Sequence, residues 1–191
     1  MNYKKHISKD EINELPVMVF NGEIQLITTT EDAKSAAKLL ENETVLGFDT
    51  ETRPSFKKGE SHNISLLQLA NKDKAFLFRM NLHELPEEII SLLSNKNIVK
   101  AGVAVRDDVL GIQKQYPFEA NSFVDLATIA KEKKYKNFGL RALCAIFLSK
   151  RLSKKAKITN WEQPSLTKAQ IHYAACDAWV GHELYNIMSK L

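Results

Sequence analysis

The stretch Val45-Leu46-Gly47-Phe48-Asp49-Thr50-Glu51 decides the architecture. Its opening residues are apolar or glycine, and a short apolar run of this kind reads as a buried strand. Side chains two apart along a strand share a face, so Gly47, Asp49 and Glu51 stand together. A glycine on that face leaves room for something to approach closely. Two carboxylates at the end of a buried strand repel one another unless a cation sits between them. Hard divalent ions such as Mg²⁺ or Mn²⁺ favour such oxygen ligands. Two solvated carboxylates at a strand end would give the same pattern, so this piece alone leaves function open.

Working outward, the elements around this strand alternate. Residues 1–16 are polar and read as an arm or short helix ending at Pro16. VMVF and EIQLI flank Asn21-Gly22, the pattern of a hairpin. Thr30 is expected to cap a helix running through AAKLL. NISLLQLA and KAFLF read as two further strands, Pro86 opens a helix, and NIVKAGV returns as a strand. A helix from about Val105 to Tyr116 follows, then the apolar helix GLRALCAIFL. The last stretch is a long helix with a capping-box pattern at Thr167 and Gln170. Strands early, helices late and alternation between them predict an α/β fold, a mixed β-sheet flanked by helices. No repeat, linker or low-complexity tract divides the chain, so residues 1–191 read as a single domain.

Two further acidic pieces accompany the first. In AGVAVRDDVLGI, Asp107 and Asp108 fall in the first turn of a helix, where acids also serve simply to offset the helix dipole. In HYAACDAWVGHELY, Tyr173 and Asp177 are four apart on a helix and project from one face. The small residues Ala174, Ala175, Cys176 and Ala178 let that helix press closely on a sheet. A buried Asp177 would need a partner, and both a metal ion and a basic side chain meet that need.

Bulk composition excludes disordered and fibrous classes, with 44% hydrophobic and 26% charged residues. Cys144 and Cys176 lie in apolar helical stretches, outside any metal or redox spacing, and are expected to be buried, reduced thiols. The opening MNYKKHISKDEINELPV lacks the apolar run of a signal peptide, and nothing approaches a membrane span. A soluble, cytoplasmic protein is the expectation, or a nuclear one in a eukaryote. Residues 131–157 carry ten Lys and Arg against the single acid Glu132, while the whole chain has a net charge of +4. That basic block suits contact with phosphates, although a solvated helical surface has the same composition.

The order DxE, then Asp, then YxxxD resembles the DEDD-superfamily 3′→5′ exonucleases, in the tyrosine (DEDDy) branch of the Werner and ribonuclease D type. The resemblance runs from about Glu43 to Tyr185 and includes SLLQLA, AFLF, the GLRAL helix and NWEQPSLTKAQIHYAACDA. It implies a ribonuclease H-like fold and hydrolysis of phosphodiester bonds from the 3′ end of DNA or RNA, releasing 5′-mononucleotides. By similarity, Asp49, Glu51 and Asp177 would hold a first divalent metal, Mg²⁺ or Mn²⁺. Asp49 would bridge to a second ion, which Asp108 would complete, and Tyr173 would orient the attacking water. The family spacing from GVxxxxD selects Asp108, with Asp107 as the alternative.

His172 stands at the spacing used by the sister branch. At 100° per residue it lies about 140° from Asp177 around the helix, whereas Tyr173 lies about 40° away. Family members often carry Trp after the second acid, where this chain has Thr52, which leaves the grip on the terminal nucleotide less defined. Contacts to a nucleic acid strand are expected from Lys133, Lys134, Lys136, Arg151, Lys154 and Lys155. Phe56 is a candidate to stack on a terminal base. Rival readings are a catalytically silent nucleic-acid-binding module and a phosphodiesterase restricted to very short oligonucleotides. No GxGxxG follows a candidate strand, which argues against a dinucleotide cofactor.

Overall fold

The computed structural model describes residues 3–57, 59–153, 156 and 158–191. Six strands, β1 (Glu23–Ile27), β2 (Val45–Thr52), β3 (Ile64–Ala70), β4 (Lys74–Phe78), β5 (Val99–Gly102) and β6 (Phe123–Asp125), form one mixed sheet. Their spatial order is β1-β4-β3-β2-β5-β6. The β2–β3–β4 ladder is antiparallel, and β1, β5 and β6 join it in parallel. All seven residues of β3 are buried, as expected of a central strand covered on both faces.

Helices α2 (Thr30–Leu40), α3 (Glu87–Ser94) and α4 (Val105–Gln115) cover one face. Leu46, Phe48, Leu67, Leu69, Phe76 and Phe78 point into the core there. On the other face lie α5 (Leu126–Glu132), α6 (Leu140–Leu148) and α7 (Lys168–Met188). The short α1 (Lys9–Glu14), capped by a Ser8–Glu11 capping box, packs with this second group through Ile12. Strand alternation therefore sends Leu66, Ala70, Ala75, Leu77 and Ala101 toward α7. Helix α7 begins at the expected Thr167–Gln170 capping box. Cys144 and Cys176 are both free and buried, and burial pushes each thiol up to about 12.

Two local expectations are corrected, and one strand and one helix are added. Asn21-Gly22 does not turn a hairpin: β1 pairs with β4, and VMVF makes an isolated bridge from Val17 to Arg151. Gly22 is there because a Cβ would stand 2.2 Å from the Asp73 carbonyl oxygen. The cap of α2 is Thr29, one residue earlier than expected, and its hydroxyl accepts from the Asp32 N–H at 3.1 Å. Strand β6 and helix α5 were not anticipated; Asp125 closes the strand and caps the helix, accepting from the Ala127 N–H at 2.8 Å.

Candidate active site

The position of α7 is set by small residues. Ala174, Ala175 and Ala178 are fully buried, and a Cβ on Gly181 would lie 2.6 Å from the Ala101 carbonyl oxygen. The helix therefore lies almost on the backbone of β2 and β5, with the side chain of Asp177 turned to the strand. One ligand oxygen each from Asp49, Glu51 and Asp177 lie within 4.8 Å of one another. Two distant stretches of chain, β2 and α7, are thus brought to one cluster by two periodicities, two in the strand and 3.6 in the helix.

Electrostatics at Asp49 are unfavourable. Burial holds Asp49 well above the ordinary carboxylate range, and Asp177, Glu51 and Asp108 add to the effect by repulsion. The Thr50 N–H, donating to Asp49 at 3.0 Å, opposes it only in part. A hard divalent cation fits this place: every donor is oxygen, the spacing permits shared coordination, and a positive charge would relieve the repulsion.

Tyr173 projects one turn before Asp177 and is hydrogen-bonded to it. Burial, reinforced by Asp177, Glu51 and Asp49, pushes the phenol far above its usual range, so it stays protonated. The fully buried Trp161 packs beside it, with ring centroids 6.2 Å apart. His172 is exposed, on another side of the helix.

Asp108 reaches the site differently. It sits in the first turn of α4, on the sheet face opposite α7, and accepts a 2.5 Å hydrogen bond from the hydroxyl of Thr50. Burial lifts it to about 6, with the Thr50 bond opposing and Asp107 adding to the rise. Asp107 itself is exposed. The three-carboxylate cluster does not include Asp108, which is nevertheless near enough to raise Asp49. The turn before α4 is fixed by Ala104 in a left-handed conformation (φ 60°), whose N–H donates to Asp125 at 3.0 Å.

The cluster opens into a cavity of about 590 Å³, lined by Asp49, Glu51, Tyr173 and Asp177 and also by Arg141 and Ile158. Its volume falls within the range of about 300–1,000 Å³ usual for ligand sites.

A sequence profile described as 3′-5′ exonuclease matches residues 24–191. This chain belongs to that exonuclease family. The mouse bifunctional 3′-5′ exonuclease/ATP-dependent helicase WRN is 31% identical over 189 residues, covering 94% of this chain and 14% of the mouse protein. The chain therefore spans a small part of that relative. Among solved structures, the Aedes aegypti Nibbler EXO domain superposes with a TM-score of 0.81 at 22% identity, covering 91% of this chain and 92% of that one. Escherichia coli RNase D gives 0.79 at 19% identity, covering 88% and 44%. At such identities the two structures establish the shared fold.

The exonuclease's basic block divides when placed in space. Lys133, Lys134 and Lys136 are exposed. Arg151 is half-buried, and its Nε donates to the Leu15 carbonyl at 2.8 Å, so much of its side chain is engaged in holding the N-terminal segment. Lys154 and Lys155 lie outside the described residues. Phe56 is 83% exposed. Arg141, which the charge pattern did not single out, lines the cavity, and its Nη2 donates to Asn13 at 2.7 Å. Its signal was available: it is the one basic residue within GLRALCAIFL.

Proposed function

We propose that this exonuclease is metal-dependent and removes 5′-mononucleotides one at a time from the 3′ end of a DNA or RNA strand, by the tyrosine-branch mechanism. The observation that carries this reading is the meeting of Asp49, Glu51 and Asp177 within 4.8 Å at the wall of a nucleotide-sized cavity. Those three would hold one Mg²⁺ or Mn²⁺ ion, and Asp49 with Asp108 would hold a second. Bound there, such ions supply a nucleophilic water at neutral pH and offset charge on the departing 3′-oxygen.

The chain's own residues do the rest. The carboxylates fix where cations gather, and in their absence they repel a polyanion. Tyr173 remains a neutral phenol, so it is suited to orient a water by hydrogen bonding and not to take its proton. Its bond to Asp177 and the Trp161 ring beside it fix its direction. Among the described residues that line the cavity, Arg141 is the cation suited to a strand phosphate, with Lys133, Lys134 and Lys136 as an outer, sequence-independent grip.

The test is digestion of matched 5′-labelled DNA and RNA strands with and without Mg²⁺ or Mn²⁺, alongside Asp49→Ala. The expected result is a ladder of shortening strands with accumulating mononucleotides, dependent on metal and abolished by the substitution. A direct cut to an internal fragment, or release of nothing in either metal, would overturn the reading. Digestion confined to dinucleotides would replace it with the short-oligonucleotide alternative.

A further inference from the structure

We infer that Thr50 is the positioning residue of Asp108, holding that carboxylate by one oxygen so that the other is left for a cation; this rests on the function proposed above. Along β2, side chains at 46, 48 and 50 face the core beneath α2, α3 and α4. Leu46 and Phe48 are buried apolar residues there. Thr50 continues the row, is only 9% exposed, and breaks the apolar pattern. A buried hydroxyl without a partner is costly, and a valine of the same shape would avoid that cost. The partner is Asp108, whose Oδ1 accepts from Thr50 Oγ1 at 2.5 Å. A hydroxyl donating to a carboxylate is among the stronger hydrogen bonds.

The remaining freedom of Asp108 is small. Ala104 fixes the turn into α4 through its bond to Asp125, so the backbone under Asp108 has little play. The carboxylate rotamer is then the adjustable part, and Thr50 sets it. Strand β2 thus serves the site from both faces: Asp49 and Glu51 directly on one, Thr50 through Asp108 on the other. With one oxygen engaged by Thr50, the other is the one left fully free for a cation. An ion beside Asp108 would therefore be held by fewer protein oxygens, and more weakly, than one among Asp49, Glu51 and Asp177, and it would be the one sensitive to Thr50.

The experiment is Mn²⁺ titration of the protein without nucleic acid, followed by electron paramagnetic resonance, for wild type, Thr50→Val and Thr50→Ser, with kcat and KM on a labelled strand. Thr50→Val keeps shape and suits a strand, so it should fold, which its thermal transition checks. The expected result is a tight and a weaker Mn²⁺ class in wild type. Thr50→Val should weaken the weaker class and lower kcat by roughly tenfold or more, with the tight class and KM unchanged. Thr50→Ser, which restores the hydroxyl, should recover both. Thr50→Val that matches wild type in isotherm and kcat overturns the proposal, as does a single Mn²⁺ class in wild type. Equal losses in Thr50→Ser and Thr50→Val would assign Thr50 a packing role and also overturn it. Failure of wild type to digest strands would instead strike at the proposed function, with the Mn²⁺ isotherms still deciding the role of Thr50.

Discussion

Gly47 on β2 lies against the backbone of Ala178 on α7, so close that a Cβ on residue 47 would stand 1.8 Å from the Ala178 carbonyl oxygen. The His182 N–H would be met as well, at 2.8 Å. Both neighbours are backbone, so neither can step aside without moving the helix. Asp177 precedes Ala178 directly, and Asp49 follows Gly47 by two residues on the same face. Helix-to-strand distance and carboxylate spacing are therefore one variable.

Gly47→Ala tests that coupling. Overpacking of this kind costs about 1–3 kcal/mol, to be read from urea unfolding midpoints at constant slope. The accompanying loss of kcat should be larger than that of a core substitution of equal cost remote from β2, such as Leu93→Val in α3. Equal activity in the two variants would show that the acids tolerate a shifted α7.

Tyr173 and His172 separate the two mechanistic branches. Tyr173→Phe keeps the ring beside Trp161 and removes only the hydroxyl bonded to Asp177. Loss of a positioned group of this type lowers kcat by about 10²-fold, with KM little changed. His172 is exposed, and His172→Ala should stay close to wild type in both constants. Steady-state kinetics on one labelled strand decides it, and the reverse ranking would move the catalytic role to histidine.

Which side chains share a face could be read from local period, Asp49 and Glu51 in the strand and Tyr173 and Asp177 in the helix; that the two faces meet was implied by the family resemblance and not by spacing. The Thr167–Gln170 capping box was readable from local spacing as well. What could not be read depends on contacts between distant residues. Thr50 meets Asp108 across 58 residues, and nothing in DTE marks the middle residue as a partner of the helix beyond β5. Strand β6 has three residues, too few for an alternating pattern to show, and it took α5 and the Asp125 cap out of view with it. Asn21-Gly22 misled because glycine serves two ends: here it admits the Asp73 carbonyl, where a hairpin would have used its positive φ. Arg141 was hidden as one charge in a row of ten, although its place as the one basic residue of GLRALCAIFL could have set it apart; the packing of α6 separates it from the exposed lysines.

Arg141→Ala should act on binding. Arg141 lines the cavity and is braced by Asn13. KM for a labelled strand should rise with kcat nearly unchanged, the signature of an interaction equal in ground and transition states. The salt dependence of strand affinity should flatten by roughly one phosphate contact. The exposed Lys134→Ala should give a smaller rise in KM. A fall in kcat at constant KM would relocate Arg141 to the chemical step.

Metal removal should reverse the usual effect of pH on these acids. Asp108 has its pKa lifted from 3.8 to about 6, and Asp49 is held well above its ordinary value by burial and by its acidic neighbours. For a carboxyl raised on folding, the folded state binds more protons than the unfolded state between the two pKa values, so stability falls as pH rises through that window. In chelator, the protein should therefore lose stability from about pH 4 to about pH 6 through Asp108, and Asp49, raised for the same cause, should deepen the decline. Urea midpoints for Asp108→Asn and for Asp49→Asn should each fall less steeply with pH than those of wild type. Adding Mg²⁺ or Mn²⁺ near neutral pH should restore stability to wild type and do little for Asp49→Asn, because a ligand that binds only the folded state stabilises it by mass action. A metal-free protein whose midpoint is flat across that range, or rises relative to both variants, would mean that the three carboxylates are relieved by something other than a cation.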